Sequence, residues 1–145
     1  MILFRQLICT FFLMGKLPKI PGTWGSLGAL IIWVFIPFDL IIRLSLIIVA
    51  TVLGYIFIKA ELQTADDPDP SYIVIDEVVG MWIALLFVPL NIVMFAAAFI
   101  LFRIFDILKP SFIYSVQYLH GPTGVLLDDI IAGILVSLIM LGLSF

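Results

Sequence analysis

The sequence predicts an all-α integral membrane protein: a small helical bundle of about five apolar segments, with an N-terminal interfacial or half-inserted helix. Three observations predict it. The 145 residues are 64% hydrophobic and 12% charged, with a mean hydropathy of +1.32, which is more apolar surface than one soluble domain of this size needs. The apolar residues fall into runs separated by Gly/Pro-rich or acidic stretches, which are turn signals. Five carboxylates, Asp76, Glu77, Asp106, Asp128 and Asp129, sit at the ends of those runs, although a charge at mid-span costs roughly 2.5–3.5 kcal/mol. One domain is expected over residues 1–145, with an interfacial segment at 1–20 and the bundle at 21–145.

The elements follow in order. Residues 1–14 are apolar but interrupted by Arg5, Gln6 and Thr10, too short and too broken for a span and better suited to an interface. The following Gly15-Lys16-Leu17-Pro18-Lys19 lacks the small-residue pattern of a signal-peptide cleavage site. A first deep segment, 24–36, stops at Pro37-Phe38-Asp39, and 40–58 returns to Lys59 and Glu61. The loop 63–71, with Asp66, Asp67 and Asp69 among prolines, belongs in water. Segment 72–88 passes Asp76 and Glu77 and turns at Pro89-Leu90-Asn91; 92–109 returns and is stopped by Pro110. A second exposed stretch, 111–124, leads into the last span, 125–143.

This trace places the Gly/Pro loop, the acidic loop and the His120 loop on one face, together with Lys16, Lys19, Lys59, Arg103, Lys109 and, with the first helix interfacial, Arg5; only Arg43 falls opposite. The positive-inside rule makes the loop-rich face cytoplasmic. A single cysteine, Cys9, excludes an internal disulfide and a cysteine metal cluster. No basic stripe or aromatic platform suggests nucleic acid.

Four blocks carry chemistry. In Asp76-Glu77-Val78-Val79-Gly80-Met81-Trp82 the adjacent acids are about 100° apart on a helix and can address one site, while Gly80, a turn later, admits a close neighbour. The plainer reading is an acidic first turn complementing the helix dipole. In the run from Phe102 to Pro110, Arg103, Asp106 and Lys109 recur at i, i+3, i+6, either as a salt-bridged helix end or as a metal ligand between two phosphate-binding cations. His120-Gly121-Pro122-Thr123-Gly124 precedes Asp128-Asp129, so the only histidine stands near two acids, where proton transfer is open to it. Ala132 and Gly133, a turn after that pair, again permit close packing. Pro21-Gly22-Thr23-Trp24-Gly25-Ser26-Leu27 offers backbone N–H groups and hydroxyls to an anion, or else Thr23 or Ser26 simply caps a helix.

Together the four blocks resemble the phosphatidylglycerophosphatase A family, in order and from Pro21 to Gly133; before Pro21 no resemblance is evident. Pro122 stands where a second glycine is common in the family, and Phe112 where a proline is. The resemblance implies a membrane phosphatase of bacterial phospholipid synthesis that removes the terminal phosphate of phosphatidylglycerophosphate, with Mg²⁺ as cofactor. On that basis the expected metal ligands are Asp76, Glu77, Asp106, Asp128 and Asp129. The expected phosphate contacts are Gly22, Thr23, Gly25, Ser26, Arg103 and Lys109, and the expected catalytic groups His120, Asp106 and Asp129. The expected setting is the bacterial inner membrane, crossed several times, with the site facing the cytoplasm and the phospholipid substrate arriving within the bilayer. Small residues at Gly25, Gly28 and 96–98 allow a homo-oligomer.

Three rival classes would leave different marks on the sequence. A proton- or cation-coupled transporter would hold its acids near the midplane, whereas these cluster at one side. A CDP-alcohol phosphatidyltransferase would be expected to show a DG-x-x-AR motif, which the chain lacks. A non-catalytic assembly subunit would tolerate acid-to-amide changes.

Overall fold

The computed structural model describes residues 2–67, 70–116, 119 and 121–143. Among these there are only helices: α1 (Ile2–Cys9), a 3₁₀ turn (Met14–Lys16), α2 (Pro21–Val34), α3 (Leu40–Leu62), α4 (Ile75–Ala84), α5 (Ile92–Leu108), α6 (Ser111–Val116) and α7 (Pro122–Leu143). Local chemistry sets their ends. Pro21 opens α2, where a missing N–H costs nothing. Asp39 caps α3 by accepting from Ile42 N at 2.9 Å, and Asn91 caps α5 by accepting from Val93 N at 2.9 Å and Met94 N at 3.2 Å. α5 ends at Lys109, left-handed at φ 38°, just before Pro110.

The chain runs back and forth, so α2, α4 and α7 start at one end of the bundle, where α3 and α5 finish. α4 is the axis. Eight of its residues are buried, Asp76 among them, and it packs against α7, α2, α3 and α5. Trp33 and Trp82 stack beside it with ring centroids 5.7 Å apart. Each indole N–H reaches a backbone carbonyl, Leu85 O at 3.2 Å and Ala29 O at 3.0 Å, which satisfies the one polar atom each ring buries.

The far end is closed by Arg43. Its guanidinium donates to Pro37 O and Leu86 O, each at 3.2 Å, and lies over the rings of Phe38 and Trp33 at 4.3 and 5.0 Å. It therefore caps the carbonyl ends that follow α2 and α4.

At the near end α1 lies along α3. Arg5 Nε is 2.6 Å from Glu61 Oε2, Tyr72 Oη donates to Glu61 Oε1 at 3.0 Å, and Val74 N donates to Cys9 O at 2.8 Å. Burial, then the Glu61 contact, raises the Tyr72 hydroxyl above its usual range. Burial first and the Glu61 carboxylate second push the Cys9 thiol up to about 12.

Helices α2 to α5 and α7 overlap the expected apolar runs in order, with shifted boundaries. α4 is shorter than the run 72–88, because residues 70–74 form a loop and 85–87 a turn. The stretch 111–124, expected to be exposed, contains α6, and Ile113 is fully buried. Two helices, α3 and α7, are long and apolar enough to cross a membrane. Only 22% of the α3 window is buried, against 50% for α7, so α3 turns most of its apolar surface outward. Gly25 and Gly28 are used inside the bundle, against Val74 and Met14.

Candidate active site

The near end of the bundle holds a cavity of about 770 Å³. Its polar wall is assembled from four helices: Gly22 and Thr23 from α2, Asp76 and Glu77 from α4, Arg103 and Asp106 with Lys109 from α5, and Asp128 and Asp129 from α7. The glycines explain why helices carrying this much charge can meet. A methyl group on Gly22 would strike the Glu77 carboxylate, and one on Gly133 the Gly80 carbonyl. With hydrogen there instead, α2 closes on α4 and α4 on α7.

Asp76, Glu77 and Asp129 each offer an oxygen within 4.8 Å of the others. Asp76 Oδ1, Glu77 Oε2 and Asp129 Oδ1 are buried without a hydrogen-bond partner. Three carboxylates this close together, each with a buried oxygen that lacks a partner, are costly by themselves and are the donor set of a hard cation. The residues present therefore fit a metal ion. Asp106 borders the cluster, close to Asp129 and Glu77.

The cations are placed around this cluster. Arg103 Nη1 pairs with Asp106 one turn along α5 and also reaches Ser26 Oγ at 3.4 Å. Lys109 Nζ lies 2.6 Å from Asp128 Oδ2. Asp128 Oδ1 accepts from Asp129 N at 2.9 Å, which fixes the backbone of the acid pair.

Most of the expected site residues converge here. Asp76, Glu77, Asp106, Asp128, Asp129, Arg103, Lys109, Gly22 and Thr23 all line the cavity. Gly25 does not; it packs on Val74. Ser26 is buried under the wall, donating to Gly22 O at 2.9 Å. Neither Thr23 nor Ser26 is the helix cap, since Ile20 holds that position without a side-chain bond. The Asp76-Glu77 pair does form an acidic first turn, yet its orphaned oxygens go beyond that plainer reading. His120 and Asp69 lie outside the described residues; Leu119 and Gly121, beside His120, line the cavity. The spacing of α5 suggested Lys109 next to Asp106, whereas its partner is Asp128, 19 positions away. Pro70, Ser71 and Ile73 also line the cavity, and no polar pattern in the sequence marked them.

A cluster of buried carboxylates that could hold a hard cation, beside an arginine and a lysine, suits the chemistry of phosphate esters. Comparison with known proteins agrees with the geometry. The family model described as Phosphatidylglycerophosphatase A matches residues 7–144, and the chain belongs to that family. The match also extends into the segment before Pro21, where no resemblance was evident from the motifs. Among curated relatives, a protein of Escherichia coli named "Phosphatidylglycerophosphatase A" is 37% identical, covering 90% of this chain and 77% of its own. One of the same name from Haemophilus influenzae is 34% identical over 97% and 88%. One from Bacteroides thetaiotaomicron named "Putative phosphatidylinositol-3-phosphatase" is 41% identical over 88% and 86%. No solved structure matches the chain.

Proposed function

We propose that the protein hydrolyses the terminal phosphomonoester of phosphatidylglycerophosphate to phosphatidylglycerol in a Mg²⁺-dependent reaction. We place it in the bacterial inner membrane, crossed several times, with the cavity at the cytoplasmic face. The observation that carries the reading is the cluster of Asp76, Glu77 and Asp129, each with a buried oxygen lacking a partner, in one cavity with Arg103 and Lys109. The two long apolar helices support the membrane setting. Lys16, Lys59 and Lys109 belong to the cavity end while Arg43 closes the other, which supports the orientation.

Asp76, Glu77 and Asp129 would hold the metal, with Asp106 and Asp128 at its border. Bound Mg²⁺ supplies neutralisation of phosphate charge and a more acidic water at the reacting phosphorus. The side chains do the rest. Arg103 and Lys109 grip phosphate oxygens and set the ester in line with the attacking water. The N–H groups at the start of α2, near Gly22 and Thr23, add a partial positive charge. Water forms a bond to phosphorus as the P–O bond to glycerol breaks; the leaving oxygen takes its proton from His120, and the proton given up by the attacking water restores His120 through solvent as phosphate leaves. Asp106 and Asp129 hold Arg103 and the water in place.

The relative at 41% identity adds a second substrate to try, a 3-phosphorylated phosphatidylinositol. The test is phosphate release from each lipid in detergent micelles, with Mg²⁺ and then with EDTA. Release with Mg²⁺, absent with EDTA and in Asp129→Asn, is expected. No release from folded, Mg²⁺-supplied protein would reject the reading, and ion flux in liposomes would then be measured.

A further inference from the structure

A second concavity runs along the α2–α5 side of the bundle, a largely apolar groove of about 500 Å³ lined by Leu27, Leu30 and Val34 of α2 and Phe95, Ala96 and Phe99 of α5, and reaching the far turn at residues 90–92. It is aligned with the cavity. On α2, Thr23 lines the cavity and Leu27, Leu30 and Val34 the groove, at i, i+4, i+7 and i+11, which is one helix face. On α5, Ala96 and Phe99 line the groove and Arg103 and Ile107 the cavity, at i, i+3, i+7 and i+11. The two concavities are therefore two lengths of the same pair of helix faces, with Arg103 and Thr23 at the cavity end and apolar side chains beyond them.

From Thr23 to Val34 the track rises about 16 Å at 1.5 Å per residue, close to half of the roughly 30 Å hydrocarbon core of a bilayer. A phosphate-binding end followed by about one leaflet of apolar wall has the same order of chemistry as a phosphorylated lipid. The relatives' names also share the phosphatidyl part and differ in the headgroup.

We propose that the α2–α5 groove holds one acyl chain of the lipid whose phosphate enters the cavity. Leu30, Val34, Ala96 and Phe99 are then specificity-determining residues for the diacyl end. The assignment rests on the lipid phosphatase reading above. It explains how a small bundle registers a headgroup against its site, since the chain is seated between the two helices that carry Gly22 and Arg103.

The test compares a dioleoyl substrate with a dibutanoyl analogue, whose chains are too short to follow the groove. Full-length wild type, Ala96→Trp, Val34→Trp and Ile56→Trp are assayed in mixed micelles. Ala96 and Val34 are exposed along the groove, and Ile56 is exposed on α3, outside it. The expected result is a KM raised about tenfold for the dioleoyl substrate in both groove variants, with kcat and the dibutanoyl reaction unchanged and Ile56→Trp like wild type. Equal losses on both substrates, no change on either, or the same effect from Ile56→Trp would overturn the groove assignment. So would a change in oligomeric state in place of the KM effect, which would make the groove a contact between copies. Wild type inert toward both lipids would overturn the phosphatase reading and the groove with it. Active wild type with silent groove variants would reject the groove alone.

Discussion

Gly80 and Gly133 meet backbone to backbone, and each lies one helical turn after a carboxylate, Asp76 on α4 and Asp129 on α7. The two helices start at the same end, so closing them at the glycines brings the two acids together one turn earlier. A Cβ on Gly80 would sit 2.6 Å from Asp129 O and 2.7 Å from the Phe102 ring. Gly80→Ala and Gly133→Ala are expected to lose about 1–3 kcal/mol of stability through overpacking and to lose activity by more than that accounts for. Thermal unfolding in detergent, set beside phosphate release per folded molecule, checks both parts.

The acid cluster makes opposite predictions for stability and activity. Saturating Mg²⁺, at about a hundred times its Kd, should add about 2.7 kcal/mol by mass action, and EDTA should remove that gain. Asp129→Asn relieves like-charge crowding, so the metal-free variant should unfold above metal-free wild type while releasing no phosphate. Melting curves with Mg²⁺ and with EDTA decide it, and a variant that still gains stability from Mg²⁺ would take Asp129 out of the ligand set.

Lys109 and Asp128 are coupled across 19 positions of sequence. Lys109→Met leaves a buried carboxylate without its cation, and Asp128→Asn leaves the cation alone. A double-mutant cycle should give an interaction of about 1–3 kcal/mol in stability, whereas independent effects would add. Lys109→Met should also cut kcat/KM about a hundredfold, because the proposed phosphate contact goes with it.

Cys9 gives a pH signature. Its thiol is held neutral by burial, pushed from 9.0 up to about 12. A folded-state pKa above the unfolded one means that stability from this group is fully present below pH 9 and is lost as pH rises from about 9 toward 12. Cys9→Ala should lack that decline in an alkaline titration of stability. At pH 8 the native thiol should resist alkylation that the unfolded chain undergoes readily.

Much of the site was legible because it obeys local rules. The Asp76-to-Gly80 and Asp129-to-Gly133 spacings showed both the acids and the close packing that joins them, since a helix puts i and i+4 on one face. Pro37, Pro89 and Pro110 marked the turns. Less legible were contacts fixed by tertiary packing. Lys109 had Asp106 three residues away and took Asp128; Ser26 had the look of a cap and became a buried prop for Arg103. The extent of α4 escaped notice because its apolar run continues through a loop and a turn that break the helix without changing composition. Glu61, paired with Arg5 and Tyr72, read only as the charged end of a span, because its partners come from other parts of the chain.

The first ten residues contain none of the expected site groups, yet they brace the loop that leads into Asp76. Cys9 holds Val74 by its carbonyl, and Arg5 holds Glu61, which holds Tyr72. A shortened or re-engineered amino-terminal segment would therefore act like a lesion in the acid-lined cavity itself. For anyone preparing this enzyme, affinity handles and fusion partners belong at the opposite terminus.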